Sequence, residues 1–222
     1  MDKELLQKIL VKHTAWLNNE EGGEKANLSK ADLAHANLEG ESLKGADLHE
    51  ANLEWALLQR TDFTEADLSG ACFVHAQLGG TVFNKANLEG ADFKKTNLIW
   101  RSPETGGVEM LVELWNANLN GADLSGLDLE YTDFQKSHLH GANLQRANFK
   151  YANLREADLG SSNLSSASLF SADLRDSDLS QANLSKSDLS MADLTGANLT
   201  GANFEGAKLH HTKGADQVKT ND

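Results

Sequence analysis

The sequence predicts an all-β solenoid that is built from five-residue repeats and begins with an α-helix. Three observations support this fold class. Leucine or phenylalanine recurs at every fifth position over most of the 222 residues, Asp or Asn usually precedes it, and the chain contains a single proline. Because a period of five fits neither an α-helix nor a continuous strand, the backbone must turn at regular intervals.

Residues 1–25 precede the repeats and contain an amphipathic helix, with Asp2 suited to be its N-cap. Apolar and aromatic side chains recur there at spacings of three and four, as on one face of a helix. They are Leu5, Leu6, Ile9, Leu10, His13, Trp16 and Leu17. Since the ends of a solenoid expose core and unpaired strand edges, we interpret this helix as an N-terminal cap. A helix that binds a partner is the alternative.

Two runs of repeats follow, over residues 26–100 and 112–211. Regular units number 15 in the first run and 19 in the second, and each has Leu or Phe at its central position. In an extended segment the central residue and the residue two before it, mostly Ala, point to the same side. We therefore expect these two positions to form the core, the residue between them to face outward, and the last two residues to turn a corner.

The pattern A(N/D)LXX, in which X is any residue, resembles the pentapeptide repeat family over residues 26–211, apart from one interruption. The resemblance implies a right-handed quadrilateral β-helix, in which four units make one coil of about 20 residues. It does not imply a function, because members of this family do different things. Some inhibit or protect type II topoisomerases such as DNA gyrase by imitating the charge of a DNA duplex.

The interruption contains Pro103 and a Gly-Gly pair. Leu114 is already in phase with the second run, which predicts that residues 101–111 form an insertion at one corner. In that register Trp100, Tyr131, Tyr151, Ser171 and Met191 form one corner column. The core does not require such an exposed aromatic stripe, which makes it a candidate binding surface. Alternatively, the apolar residues of the insertion, Val108, Met110 and Leu111, fold back over Ile99 and Trp100.

A second corner column combines His35, Trp55, His75 and Lys95 beside Leu57 and Val74. We favour corner stacking without function for this column, because single exposed apolar residues are common. The candidate protein-binding residues are therefore Trp100, Tyr131, Tyr151, Met191, Trp55, Leu57, Pro103, Met110, Leu111 and Trp115.

The net charge of −13 argues against direct contact with nucleic acid. DNA mimicry stays the alternative function, although residues 26–100 carry 11 acidic against 6 basic residues and residues 117–211 carry 12 against 7, a net charge of only −5 in each run. No pattern of nucleophile, base or metal ligands appears, and Cys72 is the single cysteine. We expect no enzyme activity, no cofactor and no metal.

The remaining expectations concern location and assembly. No apolar run approaches the roughly 18 residues of a membrane span, which predicts a cytoplasmic protein without membrane contact. Residues 212–222 lack an apolar period and are expected to be a disordered tail. Nothing obvious then covers the last coil, so the chain is expected to be a monomer or an end-to-end dimer. The predicted function is a non-enzymatic scaffold that binds an unidentified protein partner.

Overall fold

The computed structural model describes residues 1–101 and 108–218. The chain begins with helix α1 (Lys3–Leu17) and continues as a β-helix. A two-stranded antiparallel hairpin, β1 (Trp100–Arg101) and β2 (Val108–Met110), interrupts the coils. A short 3-10 helix (Ala215–Gln217) lies near the C-terminus. Within the described coils, the extended pieces form single parallel bridges instead of longer strands, because each piece is only three residues long before the next corner begins.

Apart from the coil that carries the insertion, each described coil contains 20 residues, since parallel bridges join residues that are 20 apart, as in Asn27 with Asp47. Most described repeats exchange three backbone hydrogen bonds with the next coil, and in the first repeat one of them runs from the N–H of Lys30 to the carbonyl of His49 at 2.8 Å. The N–H of Leu28 donates to the carbonyl of Asp47 at 2.7 Å, and the N–H of Asp47 donates to the carbonyl of Ala26 at 3.0 Å. Four five-residue units therefore complete one turn of the β-helix, and the backbone polar groups of stacked coils satisfy one another.

The corners are β-turns that place their third residue in the left-handed region. In the first repeat, the N–H of Ala31 donates to the carbonyl of Leu28 at 3.1 Å, and Lys30 has φ +57°. A type II turn requires a positive φ at this position. Many of these residues are not glycine, including Trp55 and Tyr131. A side chain in this conformation costs about 1–2 kcal/mol, which the surrounding bridges and core must offset.

The core consists of stacked central residues, nearly all of them inaccessible to solvent. Phe73 and Phe93 stack at 4.7 Å between ring centroids. Where Ser or Thr replaces the small inward Ala, most of the buried hydroxyls donate to a carbonyl, whereas that of Thr132 has no partner among the described residues. Thr61 donates to Leu38 at 2.8 Å, and such bonds remove much of the cost of burying a hydroxyl. The outward residues between these inward positions remain available for surface contacts.

Helix α1 covers the first coil, with Leu6, Leu10 and His13 as its buried residues. Asp2 caps it as predicted, because its carboxylate accepts a hydrogen bond from the N–H of Leu5 at 3.3 Å. The predicted apolar face was too wide, because Leu5 and Trp16 are exposed by 50% and 39%. The buried residues form a stripe at spacings of four and three, and Ile9 packs beside it as a partly buried residue. Among the described residues, no helix is long and apolar enough to cross a membrane.

The insertion leaves the β-helix between Ile99 and Val112. Three bridges that cross the insertion span 31 residues, whereas the other described bridges span 20; they join Val82 with Glu113, Asn87 with Asn118, and Asp92 with Asp123. The hairpin returns toward earlier coils, and the Nε atom of Arg60 lies 3.4 Å from the Sδ atom of Met110. Eleven residues are thereby inserted at one corner without breaking the stacking of the coils on either side.

The C-terminal segment corrects one prediction, because residues 212–218 are not disordered. Lys213 bridges Asp193 and donates its N–H to the carbonyl of Ala192 at 2.9 Å. Thr212 donates its hydroxyl to Leu189 at 2.8 Å, and Val218 packs against the core. The sequence showed no apolar period here, but backbone bridging needs none. Residues 219–222 lie outside the described residues.

Candidate functional site

Three exposed side chains, Tyr131, Tyr151 and Met191, line one corner of successive coils and are called the aromatic corner below. The tyrosine rings stack at 5.0 Å between centroids, and Phe170 meets Tyr151 edge-on at 5.9 Å. Their exposed fractions are 50% for Tyr131, 45% for Tyr151 and 53% for Met191. Ser171 occupies the coil between Tyr151 and Met191. The predicted column therefore exists at these four positions.

The remaining members of the predicted surface behave differently. The backbone of Trp100 pairs with that of Met110 in the hairpin. The side chain of Trp100 and the whole of Pro103 lie outside what the structure describes. Leu111 is half-buried against the core. Packing of this apolar residue at the base of the insertion agrees with the alternative in which the insertion folds back on the coils.

A cavity of about 570 Å³ opens between the base of the insertion and Tyr131, and it is called the insertion cavity below. It unites Leu111, Trp115 and Tyr131, which the sequence offered as separate candidates. Its other lining residues were missed; they are Asn84, Val112, Glu113 and Asp133. One signal could have revealed two of them, because Glu113 and Asp133 are acidic residues at the same outward position of consecutive coils.

The second predicted column stacks at a different corner. Ring centroids are 6.3 Å apart for His35 and Trp55, and 4.0 Å apart for Trp55 and His75. Trp55 is 49% exposed, and Leu57 beside it is half-buried. The three rings cover one another across three coils, which gives the stack a local packing role.

The outward Asp and Asn residues form ladders along the β-helix. Each side-chain oxygen accepts a bond from the backbone N–H two residues later, as Asp67 does from Ser69 at 3.1 Å. An Asn in the next coil then donates its amide to the same oxygen, as Asn87 does to Asp67 at 3.0 Å. This arrangement explains why both residue types are common at this position. It also places a neutral side chain beside many of the carboxylates.

Where one Asp stacks directly on another, a basic side chain lies beside the pair. Lys94 contacts Asp92 at 3.1 Å and Asp123 at 3.2 Å, and hydrogen bonds to these two carboxylates raise its pKa. Arg175 binds Asp173, which is bridged to Asp193 in the next coil. Hydrogen bonds from the guanidinium hold the pKa of Asp173 below its usual value. These contacts reduce the repulsion between stacked carboxylates.

Histidines accompany the other two stacked Asp pairs. His49 lies 2.8 Å from Asp47, below Asp67, and the ligand atoms of these three residues lie within 4.8 Å of one another. The geometry would admit a metal ion, although the imidazole already bonds to Asp47. In the second pair, His140 lies 3.8 Å from Asp158. Gly160 leaves space for it, because a Cβ atom there would lie 2.8 Å from the His140 ring.

Comparison with known proteins gives a consistent picture. A family profile described as pentapeptide repeats matches in eight copies, over residues 26–64, 61–98, 112–146, 142–181 and 177–213. No protein of curated function matches. Among solved structures, a pentapeptide repeat protein of the Arabidopsis thaliana thylakoid lumen is 33% identical with a TM-score of 0.42. The match covers 42% of this chain and 66% of that one.

Two further solved structures match over most of the chain. HetL, a pentapeptide repeat protein of the cyanobacterium Nostoc involved in the regulation of heterocyst differentiation, is 30% identical, with 89% of this chain and 94% of HetL covered and a TM-score of 0.41. QnrB1, a plasmid-mediated fluoroquinolone resistance protein, is 24% identical, with 82% and 84% covered and a TM-score of 0.52. With the repeat profile matching nearly all of residues 26–213, the chain belongs to the pentapeptide repeat family.

Proposed function

We propose that this protein is a non-enzymatic scaffold that binds a protein partner through the aromatic corner and the surface beside the insertion. The observation that carries the proposal is the exposure of Tyr131, Tyr151 and Met191 in one line on three coils. Their side chains point away from the core, so packing of the core does not require these residues. Exposed aromatic and Met side chains that lie together are typical of protein-binding surfaces.

The shape of the β-helix supports the same proposal. We infer that each coil is four-sided, because four units of five residues separate bridged positions. Corner residues of successive coils then form straight columns spaced by about 4.8 Å. Such a column is held rigid by the backbone on which it stands, and rigidity lowers the entropic cost of binding.

The proposal is tested by capture of a partner from the native cell extract. We expect the wild-type chain to retain a specific protein, identified by mass spectrometry, and the double variant Tyr131→Ser/Tyr151→Ser to lose it. Lys136 and Glu156 occupy the same turn position of the same two coils at the next corner, where they form an ion pair at 3.7 Å. The variant Lys136→Ser/Glu156→Ser is therefore the matched control. Equal loss in both variants would contradict a role of the aromatic corner.

Inhibition or protection of a type II topoisomerase by DNA mimicry is the second candidate. The net charge of −13 and the shared fold with QnrB1 favour it. The distribution of charge opposes it, because each bridged column of outward residues has at most two acidic residues in succession. A duplex presents one charge about every 1.7 Å. Inhibition of DNA supercoiling by gyrase is the direct test, and activity of gyrase undiminished by excess protein would exclude this candidate.

The oligomeric state also bears on both candidates. The sequence predicts a monomer or an end-to-end dimer through the C-terminal coil, in which Leu199 and Leu209 are only half-buried. Size-exclusion chromatography with light scattering measures the mass directly. A dimer that the variant Leu209→Lys separates would place the interface at this coil, whereas a dimer that persists would place it elsewhere.

A further inference from the structure

We propose that the insertion cavity binds an arginine side chain from a basic segment of the partner protein. This inference rests on the proposed scaffold function and specifies the chemistry of the partner. The first argument is an internal comparison of acidic pairs. Five bridges in the described coils stack one acidic residue on another; they are Asp47 with Asp67, Asp92 with Asp123, Asp158 with Asp178, Asp173 with Asp193, and Glu113 with Asp133.

Four of these pairs have a basic side chain beside them, whereas no described side chain forms an ion pair with the fifth. Among the ion pairs of the described residues, none involves Glu113 or Asp133. In three of the other four pairs, the residue two positions after the acid of lower sequence number is basic, and it is Lys94, Arg175 or His49. In the fifth pair, the same position holds Trp115.

The hydrogen bonds of the fifth pair come from neutral donors. Glu113 accepts from the Asn84 amide at 2.8 Å. Asp133 accepts from the Gln135 N–H at 3.0 Å and from the Asn153 amide at 2.9 Å. Each ionised carboxylate offers about four acceptor sites, so both can accept further bonds. The two negative charges therefore lie beside an open cavity with room for a cationic donor.

The aromatic walls make an organic cation the fitting occupant. Trp115 and Tyr131 both line the cavity, and aromatic faces attract cations. Trp115 already attracts one inside the chain, because Lys85 lies 6.0 Å from its ring centroid. Lys85 is itself bound to Glu65 at 3.2 Å and does not line the cavity.

Arginine suits this combination better than other cations. Its planar guanidinium can bond two carboxylate oxygens in parallel while stacking on an aromatic ring. Hydrated divalent ions prefer oxygen ligands on all sides, which aromatic walls do not provide. Phosphate groups would be repelled by the two acids. The volume of about 570 Å³ lies within the range of ligand pockets, and the net charge of −13 attracts basic partners over longer distances.

The two stacked acidic residues of the insertion cavity should also lower the stability of the protein in the absence of its partner. Like charges directly opposite each other on adjacent strands are destabilising. We expect Glu113→Gln to raise the urea midpoint of unfolding relative to wild type. Asp92→Asn, which breaks the contact with Lys94, is the control and should not raise it. Equal effects of the two substitutions would show that the fifth pair is compensated within the chain, and this would overturn the proposal.

Binding is tested with a defined probe, the blocked peptide acetyl-Gly-Gly-Arg-Gly-Gly-amide. In ¹⁵N-labelled protein, we expect this peptide to shift the Trp115 indole signal in a saturable manner, with the signal assigned through Trp115→Phe. The same peptide with citrulline in place of arginine keeps the shape without the charge and should cause no shift. The variant Glu113→Gln/Asp133→Asn should bind about tenfold more weakly or worse, whereas Asp158→Asn/Asp178→Asn should bind like wild type.

Several results would overturn the proposal. These are a shift by the citrulline peptide equal to that by arginine, unchanged binding to Glu113→Gln/Asp133→Asn, or a Trp115 shift caused by Mg²⁺ alone. Capture of the cellular partner separates this inference from the scaffold function. If Glu113→Gln/Asp133→Asn still captures the partner that Tyr131→Ser/Tyr151→Ser loses, the arginine site is wrong and the scaffold stands. If the wild-type chain captures nothing, the scaffold function itself fails.

Discussion

The two ends of the β-helix are closed by different means. At the N-terminus, helix α1 lays Leu6, Leu10 and His13 against the first coil, and the His13 ring accepts a hydrogen bond from the N–H of Ala26 at 3.0 Å. At the C-terminus, a single 3-10 turn brings Val218 against a last coil whose central residues are still partly exposed. Both ends are covered, but only the N-terminal end receives a full helix, so the coils should be held less firmly at the C-terminal end.

The largest expected effect comes from removing the N-terminal cover. Leu10 is 5% exposed, and Leu10→Ala should lower the free energy of unfolding by about 2–5 kcal/mol. Urea unfolding followed by circular dichroism measures this change. The control is Leu5→Ala on the same helix, where a side chain that is 50% exposed should change stability by less than about 0.5 kcal/mol. Similar losses in both variants would mean that the helix is not held by its buried stripe.

The second prediction concerns pH at the same end. Burial, followed by the positive charge of Lys25, lowers the pKa of His13. The unfolded chain therefore binds the proton more readily than the folded chain, and stability should fall as the pH drops below about 6.5 and continue to fall until the lowered pKa is reached. Protonation would also remove the acceptor for the N–H of Ala26. Urea midpoints across this range measure the slope.

The variant His13→Gln cannot take up this proton and should show a flatter dependence on pH. It should also be less stable at neutral pH by about 1–3 kcal/mol if the N–H of Ala26 loses its acceptor. His35→Gln, at an exposed corner, is the matched control and should keep the wild-type slope. A wild-type slope in His13→Gln would assign the pH dependence to other groups.

A smaller effect is expected at the C-terminal end. Val218 is only half-buried, and Val218→Ser should cost about 1 kcal/mol or less in global stability. The loss should be local, because end coils open without the rest of a solenoid. Hydrogen exchange should become faster at the N–H of Lys208, which bonds to Ser187, while the N–H of Asn52 near the N-terminal end keeps its protection. Uniform acceleration along the chain would contradict unequal ends.

The smallest effects test the corners at both ends. Lys30 has φ +57°, so Lys30→Gly should be more stable than Lys30→Ala by about 0.5–1 kcal/mol. Both variants lack the exposed ion pair of Lys30 with Glu50, so the comparison between them reports on the backbone alone. Gly206 has φ +67°, and an added Cβ would meet Cγ of Lys186 at an ordinary contact distance of 3.6 Å, so Gly206→Ala should destabilise by a similar amount. Thermal unfolding measures both changes. If Lys30→Gly were less stable than Lys30→Ala and Gly206→Ala more stable than wild type, corner strain would not limit stability.

Much of the fold could be predicted because each repeat is surrounded by copies of the same repeat. Each central Leu or Phe meets the same neighbours one coil above and below, so local pattern and tertiary contact agree in every unit. The helix and its Asp2 cap followed from ordinary spacing rules. The prediction failed at residues 212–218, where the backbone bridge of Lys213 continues the coil without any apolar signal. It also made the buried face of α1 too wide, because amphipathic spacing does not say how much of a face meets the coil.

The candidate site was predicted less completely. The column of Tyr131, Tyr151 and Met191 followed from the register, because a fixed coil length brings distant residues into line. The insertion cavity did not follow, since it depends on where the chain returns from the insertion and on which side chains then share one space. Asn84 shows the difference most clearly. It lies 31 residues before Trp115, whose N–H it accepts at 3.1 Å.

The five-residue period, the inward and outward positions, the corners and the excess of acidic residues all follow from the amino-acid sequence alone. These properties repeat along the chain, and a repeated local rule needs no knowledge of distant contacts. The three-dimensional arrangement was needed to see how each end is closed, which acidic residues stack without a described ion-pair partner, and which aromatic side chains line a cavity. Those features arise where the period is broken or where two coils meet, and their energies depend on distances that no single repeat contains.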